Sequence, residues 1–446
     1  MWWCGAAVGA AVVAAPSVFA AKPQASVSTE LDELRAEYGR LSLEFARAVP
    51  AWRPERPTSG SLLFVAPDEY AGTEPNGEQF RAARIKYADA LFELAKRAAE
   101  AGQLSLAFEW ATETVRENPD HADARRVLGY ELVDGQWLTP FAKRMVDAGK
   151  AWDPQRGWVT AGDASAALRP AQNGWRVRTD HFFVTSNHSL EAAAELAARL
   201  ERLHQIWRQL FAGFYFSERE VRGLFAGERP ARQRHQPFRV FYHRDKDDYA
   251  ATLQRRQPRI AETLGIYFDD DREAHFFAGD DRNLATLNHE AVHQLFQETR
   301  PAARHVGAVA NFWIVEGIAT YFETLREHRH PEAGLYYTIG ESSAGRLPAA
   351  RERLLVEQFY VPLDELSRLG KDDLQRYPEL AKLYSQSAGL AALLMDGEEG
   401  RYREPLVEYL SAVYAGRDQA QSLSDATGRS MADLDAAYRR YLESLP

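Results

Sequence analysis

The sequence predicts an α+β protein, in which a small mixed sheet and its covering helices form one large domain behind an α-helical segment. Three observations predict it. Strand-like alternation is concentrated between Gly157 and Phe277, as in Phe182-Phe183-Val184-Thr185 and Phe238 to Tyr242. Everything after Asn283 has helical periodicity, and a separate helical pattern runs from Arg81 to about Gly149. At 446 residues the chain can form roughly two to three domains. Its 45% hydrophobic and 26% charged residues are those of a folded globular protein, which excludes wholesale disorder and a polytopic membrane protein. A net charge of −10 gives no general electrostatic reason to bind nucleic acid.

Residues 1–20 carry no charged side chain and end in Pro16-Ser17-Val18-Phe19-Ala20. An apolar run with small residues at Val18 and Ala20 resembles a secretory signal peptide cleaved near Ala20, which predicts a secreted, periplasmic or cell-envelope protein. The alternative is an uncleaved anchor, because the uncharged run from Trp2 to Ala21 is just long enough to span a membrane. The only cysteine, Cys4, lies in this segment. The mature chain then has no disulfide and no thiolate, so a metal must be held by histidines and carboxylates.

Residues 21–80 read as an amphipathic helix, Ser28 to Val49, followed by a Pro/Gly/Ser-rich linker from Pro50 to Gly77. In the helical segment 81–150, Gly102, Ala107 and Pro119 match positions of a tetratricopeptide repeat, and Leu128-Gly129-Tyr130 falls where a next repeat would begin. About one and a half repeats are too few for a solenoid, so a helical hairpin packed on another part of the chain is expected. It would serve as a structural prop, or as a surface for a protein partner.

The large domain, 170–446, opens with strands at Trp175 to Thr179 and Phe182 to Thr185, then a helix from Ser189 to Phe211 with Ser189 as its cap. The Arg-rich stretch Ser217 to Gln236 reads as a surface excursion. A strand at Phe238 to Tyr242, a helix at Asp247 to Arg256 and two short strands, Gly265 to Phe268 and Glu273 to Phe277, follow. Asp269-Asp270-Asp271-Arg272 is their turn, since the glycine and glutamate spacing of a calcium loop is missing.

The chemistry is concentrated in Asn288-His289-Glu290-Ala291-Val292-His293. On a helix, His289 and His293 stand about 40° apart on one face, and two imidazoles one turn apart can share a tetrahedral zinc while Glu290 reaches its water. A catalytic zinc needs a third ligand, and Glu316, 23 residues after His293 in an otherwise apolar run, can return to the same place. Glu323, seven residues later and about 20° around the helix, either orients a ligand histidine or is a solvated helix-end carboxylate.

The pairing of His289-Glu290-x-x-His293 with Glu316-Gly317-x-Ala319-x-Tyr321 resembles the gluzincin metallopeptidases, the clan of thermolysin and the zinc aminopeptidases, and within it an uncharacterised secreted bacterial branch. The resemblance spans roughly Trp175 to the C-terminus. It implies one Zn2+ per chain held by His289, His293 and Glu316, with Glu290 as general base. Leu383-Tyr384-Ser385-Gln386-Ser387 is similar to the helix that carries an oxyanion-stabilising tyrosine in the aminopeptidases, which implies that role for Tyr384, with Tyr377 and Tyr402 as nearby competitors. The Gly-x-Met-Glu-Asn signature for a free N-terminus is missing, which favours an endopeptidase over an exopeptidase.

The expected substrate is a peptide or protein, aligned along an edge strand at Glu273 to Phe277. Two other functions use the same residues differently: a catalytically silent binding module built on the zinc fold or the tetratricopeptide-like helices, and a zinc hydrolase of a non-protein amide or ester. An intact Glu290 argues against the first.

Overall fold

The computed structural model describes residues 24–67, 80–160, 174–228, 236–279, 283–331 and 334–446. The expected leader, with Cys4, lies outside them. Among the described residues no helix is long and apolar enough to cross a membrane.

The protein is α+β. Its main sheet has five strands in the order Trp175–Arg178, Phe182–Ser186, Phe238–His243, Glu273–Phe277, Ile266–Phe268. The three inner strands run parallel and the two edge strands antiparallel to their neighbours. The inner strands are rich in aromatic and β-branched residues because both faces are covered. Phe182, Val184, Phe238, Val240, Ala274 and Phe276 share one face and pack against the helices Leu190–Leu210 and Asn283–Thr299. Helix Lys246–Leu253 covers part of the other face through Tyr249, Leu253 and Phe277.

This order corrects one expectation. Strand Glu273–Phe277 is interior, hydrogen-bonded on both sides, and cannot take up a peptide; the strand at the edge is Ile266–Phe268. Sheet order is set by long-range pairing, which local pattern does not encode.

Four further segments differ from the sequence reading. The stretch 50–77 contributes a strand, Ser61–Leu63, to a second sheet with Gly334–Ile339 and Arg326–His330, so the region after Asn283 is not all helical. The helical segment 81–150 contains a hairpin, Glu131–Val133 with Gln136–Leu138, whose two-residue turn Asp134-Gly135 has both φ angles positive (50° and 82°). This is the geometry that Asp-Gly favours. Leu128-Gly129-Tyr130 therefore ends the short helix Ala122–Val127 instead of opening another repeat. A second hairpin, Lys150–Asp153 with Gly157–Thr160, starts at the segment's end. Within Ser217 to Gln236, Glu218–Phe225 is a helix with a full capping box at Ser217 and Glu220, and it buries Val221, Leu224 and Phe225.

That helix shares a core with the N-terminal helices Gln24–Ala48, Arg81–Glu100 and Leu104–Glu117. The half-buried Glu113 accepts hydrogen bonds from Tyr38 (2.9 Å) and Tyr87 (2.8 Å), pinning the three together.

Two helices in the C-terminal half approach most closely. Phe312–Phe322 crosses Leu380–Gly400 at Gly317, where an added Cβ would lie 2.7 Å from the Ser387 carbonyl oxygen. Gly317 adjoins Glu316, and Ser387 is one turn from Tyr384, so this contact sets the spacing of Glu316 and Tyr384. Gly317→Ala is expected to destabilise the protein by about 1–3 kcal/mol through overpacking, read as a lowered thermal midpoint; an unchanged midpoint would show that the helices separate without cost.

Candidate metal centre

Helix Asn283–Thr299 carries both histidines because its apolar residues, Leu287, Ala291, Val292, Leu295 and Phe296, turn to the core and leave His289, Glu290 and His293 facing a cleft. Helix Phe312–Phe322 is buried along its whole length. It starts at Asn311, whose left-handed backbone (φ 56°) is held by bonds from its amide to Asp418 (2.7 Å) and the Gln419 carbonyl (2.8 Å) and by the Tyr409 hydroxyl (2.7 Å).

The two helices bring three donor atoms together. His289 Nε2 and His293 Nε2 are 3.1 Å apart, and Glu316 Oε2 lies 3.5 Å from the first and 3.9 Å from the second. Ligand atoms about 2.0–2.2 Å from a tetrahedral zinc stand about 3.4 Å apart, so the triangle has the dimensions of one face of such a site. His289 Nδ1 is 2.9 Å from Glu323 Oε1. Its Nδ1–H then donates to that carboxylate, which leaves the Nε2 lone pair directed at the triangle. Glu323 is thus the carboxylate that orients a histidine, and it also lies 3.6 Å from Arg346.

A second group, His181, Glu201 and His204, is equally close but has the wrong geometry. Its imidazoles stack at 3.8 Å with 22° between planes, and His181 Nδ1 is bonded to Glu201 at 2.7 Å. Nitrogen lone pairs lie in the ring plane, so stacked rings cannot direct theirs at one ion.

The electrostatics of the first group are those of a cation site. Burial alone would lower His289, yet the carboxylates of Glu316 and Glu323 push it up to about 10. Burial holds His293 down to about 4, so this imidazole is neutral. Burial alone would raise Glu316, but His289 and His293 hold it at about 2. Glu290 is pushed up to about 7, chiefly by burial, and accepts a hydrogen bond from the Tyr267 backbone N–H at 2.9 Å.

Tyr384 lines the same cleft, and its phenol, raised well above the usual range by burial and by the nearby Glu316 carboxylate, remains a hydrogen-bond donor. The Arg346 guanidinium lies 5.4 Å above its ring. Tyr402 is instead bonded to Glu398, and Tyr377 packs against the core, so neither competes for the cleft. The cleft measures about 930 Å³. Its lining includes residues that no sequence motif marks: Tyr267, Arg346, Lys371 and Tyr414.

Neither known family models nor curated proteins match the chain.

Binding a dication at His289 must displace the proton that this imidazole carries below about pH 10. Zinc affinity of the metal-free protein is therefore expected to rise roughly tenfold per pH unit from neutrality, one proton being released per ion. Calorimetric titration in buffers of different ionisation enthalpy measures that release; none would show that His289 is not a ligand.

Proposed function

We propose that the chain is a zinc-dependent hydrolase of gluzincin type, an endopeptidase exported to the cell envelope or beyond, with the helices of 81–150 as a tetratricopeptide-like prop. The observation that carries this reading is the convergence of His289, His293 and Glu316 from two helices beside the half-buried Glu290 in a cleft large enough for a peptide.

A zinc ion held by these three residues would acidify a water molecule and polarise the substrate carbonyl. Glu290 takes a proton from the attacking water as its oxygen bonds to the carbonyl carbon, and then passes that proton to the amine nitrogen, so that the C–N bond of the resulting tetrahedral centre breaks and the amine leaves neutral. Its carboxylate is held for this by the Tyr267 N–H. Tyr384 donates a hydrogen bond to the oxygen on which negative charge develops. Glu323 keeps His289 in the tautomer that coordinates through Nε2. The edge strand Ile266–Phe268 borders the cleft, and no other described strand pairs its outer side, so an extended peptide can align along it.

Glu290→Gln is expected to retain zinc and fold while turnover of a peptide library falls by about 10²–10⁴-fold, because an amide cannot accept the proton. Substantial hydrolysis by the zinc-loaded variant would remove Glu290 from the mechanism. Tyr384→Phe is expected to lower kcat by about 10²–10³-fold with little change in KM, the signature of an interaction made only in the transition state. A kcat within a few fold of wild type would make Tyr384 a packing residue.

A further inference from the structure

Beside the edge strand, the cleft is lined by the loop His305, Val306 and Ala308 and by the short helix Lys371–Gln375. These two segments are clamped together. The Lys371 N–H donates to the Gly307 carbonyl at 2.9 Å, and Gly370 lies so close to Ala308 that a Cβ would stand 2.2 Å from its carbonyl oxygen. The backbone that carries Lys371 is therefore fixed relative to the cleft.

Its side chain is exposed to the cleft, with Nζ 5.6 Å from the ring centroid of Phe312, the first residue of the helix that bears Glu316. Its positive charge is felt at both His293 and Glu316. Among the described residues it forms no ion pair; the neighbouring Asp372 is turned to Arg376 at 3.5 Å. The carboxylates nearest the centre are already engaged, Glu323 by His289 and Arg346 and Glu290 by the Tyr267 N–H, so none of them is turned to Lys371. An anionic group of a substrate lying in the cleft can form a charge-assisted contact with Nζ.

We propose that Lys371 sets specificity by taking a carboxylate of the substrate, either the free C-terminal carboxylate of a peptide or an Asp or Glu side chain near the bond to be cleaved. This rests on the peptidase reading. Lys371 does not touch the reacting atoms, so its removal alters which substrates bind and leaves the proton transfers intact.

The test uses four N-acetylated peptides of one sequence, with Glu or Gln at one position and with the C-terminus free or amidated. Their equilibrium binding is measured on zinc-loaded Glu290→Gln protein, with Lys371 intact, Lys371→Met or Lys371→Glu. With Lys371 intact, an anionic peptide is expected to bind about tenfold more tightly than the neutral one, with an advantage that shrinks in salt. Lys371→Met should abolish the advantage, Lys371→Glu should reverse it, and the neutral peptide should bind all three alike. A gain confined to the free C-terminus identifies the α-carboxylate, and one confined to Glu identifies the side chain. Equal affinity for all four peptides with Lys371 intact, an equal loss for all four in Lys371→Met, or no binding would overturn the proposal. Cleavage of the same peptides by protein with Glu290 restored is scored separately: preference without cleavage defeats the peptidase reading alone, and cleavage without preference defeats the carboxylate site alone.

Discussion

Three electron-rich side chains held within 4 Å of one another on the half-buried floor of a cleft form the constraint on which the rest of this structure depends. Two imidazole lone pairs and a carboxylate repel one another, and Glu290 and Glu323 add two further carboxylates beside them. Leaving such a group unpaired in a low-dielectric interior is costly. In the metal-free protein the His289 imidazolium, with Nδ1–H toward Glu323 and Nε2–H toward Glu316, offsets part of that cost. A dication would offset more, and so ion binding and folding stability are linked at this site. The surrounding architecture keeps the cluster from relaxing apart, through a helix buried on every side, a glycine contact without slack, and a start fixed by Asn311.

The N-terminal helices take part in that restraint. On the ligand helix, Tyr321 donates to Asp396 at 2.7 Å, and Asp396 lies 3.8 Å from Arg403. Arg403 also pairs with Glu109 and donates to Ser61 at 3.0 Å, both in the N-terminal part of the chain. Glu404 accepts from the Ser105 N–H at 2.7 Å. Without Glu109 and Ser61, the buried Arg403 would keep Asp396, at 3.8 Å, as its one ion-pair partner among the described residues, directly behind the helix that bears Glu316. The helical segment is thus bound to the C-terminal half by polar contacts within the interior, which suits a buttress better than a detachable partner-binding module.

Much of the site was legible in the sequence because helical geometry is local. One turn separates His289 from His293, two turns bring Glu323 under Glu316, and in an apolar run a single carboxylate has to face something that compensates it. Tyr384 came from local similarity, and the distance between its helix and Glu316 depends on Gly317, whose role is visible only once the two helices are packed. The hairpin at Asp134-Gly135 was legible from its turn residues and was hidden by the helical pattern on either side. Strand Arg326–His330 was not legible. Its residues, Arg-Glu-His-Arg-His, have no apolar alternation, and they are extended because Gly334–Ile339 and Ser61–Leu63 complete a sheet beside them. Lys371 belongs to no motif, since it reaches the cleft by way of a loop clamp that exists only in three dimensions.

The same dependence on tertiary pairing decides how a peptide could meet the base. In a strand, backbone groups of successive residues point to opposite edges. The Tyr267 N–H reaches Glu290, so the backbone groups of Tyr267, which stands opposite Ala274, point outward, and those of Ile266 and Phe268 point to the interior strand. Gly265, Tyr267 and Asp269 consequently share the outward edge, and all three line the cleft. Because the N–H of Tyr267 is already engaged, its carbonyl is the group left for an extended peptide to bond at that residue. The Tyr267 hydroxyl also donates to Glu298 at 3.1 Å, two turns beyond Glu290 on the same helix. One residue thereby ties the aligning edge to the helix that holds both histidines and the base. In the proposed mechanism the strand edge that aligns the substrate and the carboxylate of Glu290 would then share one contact, and a shift of the strand would move both together.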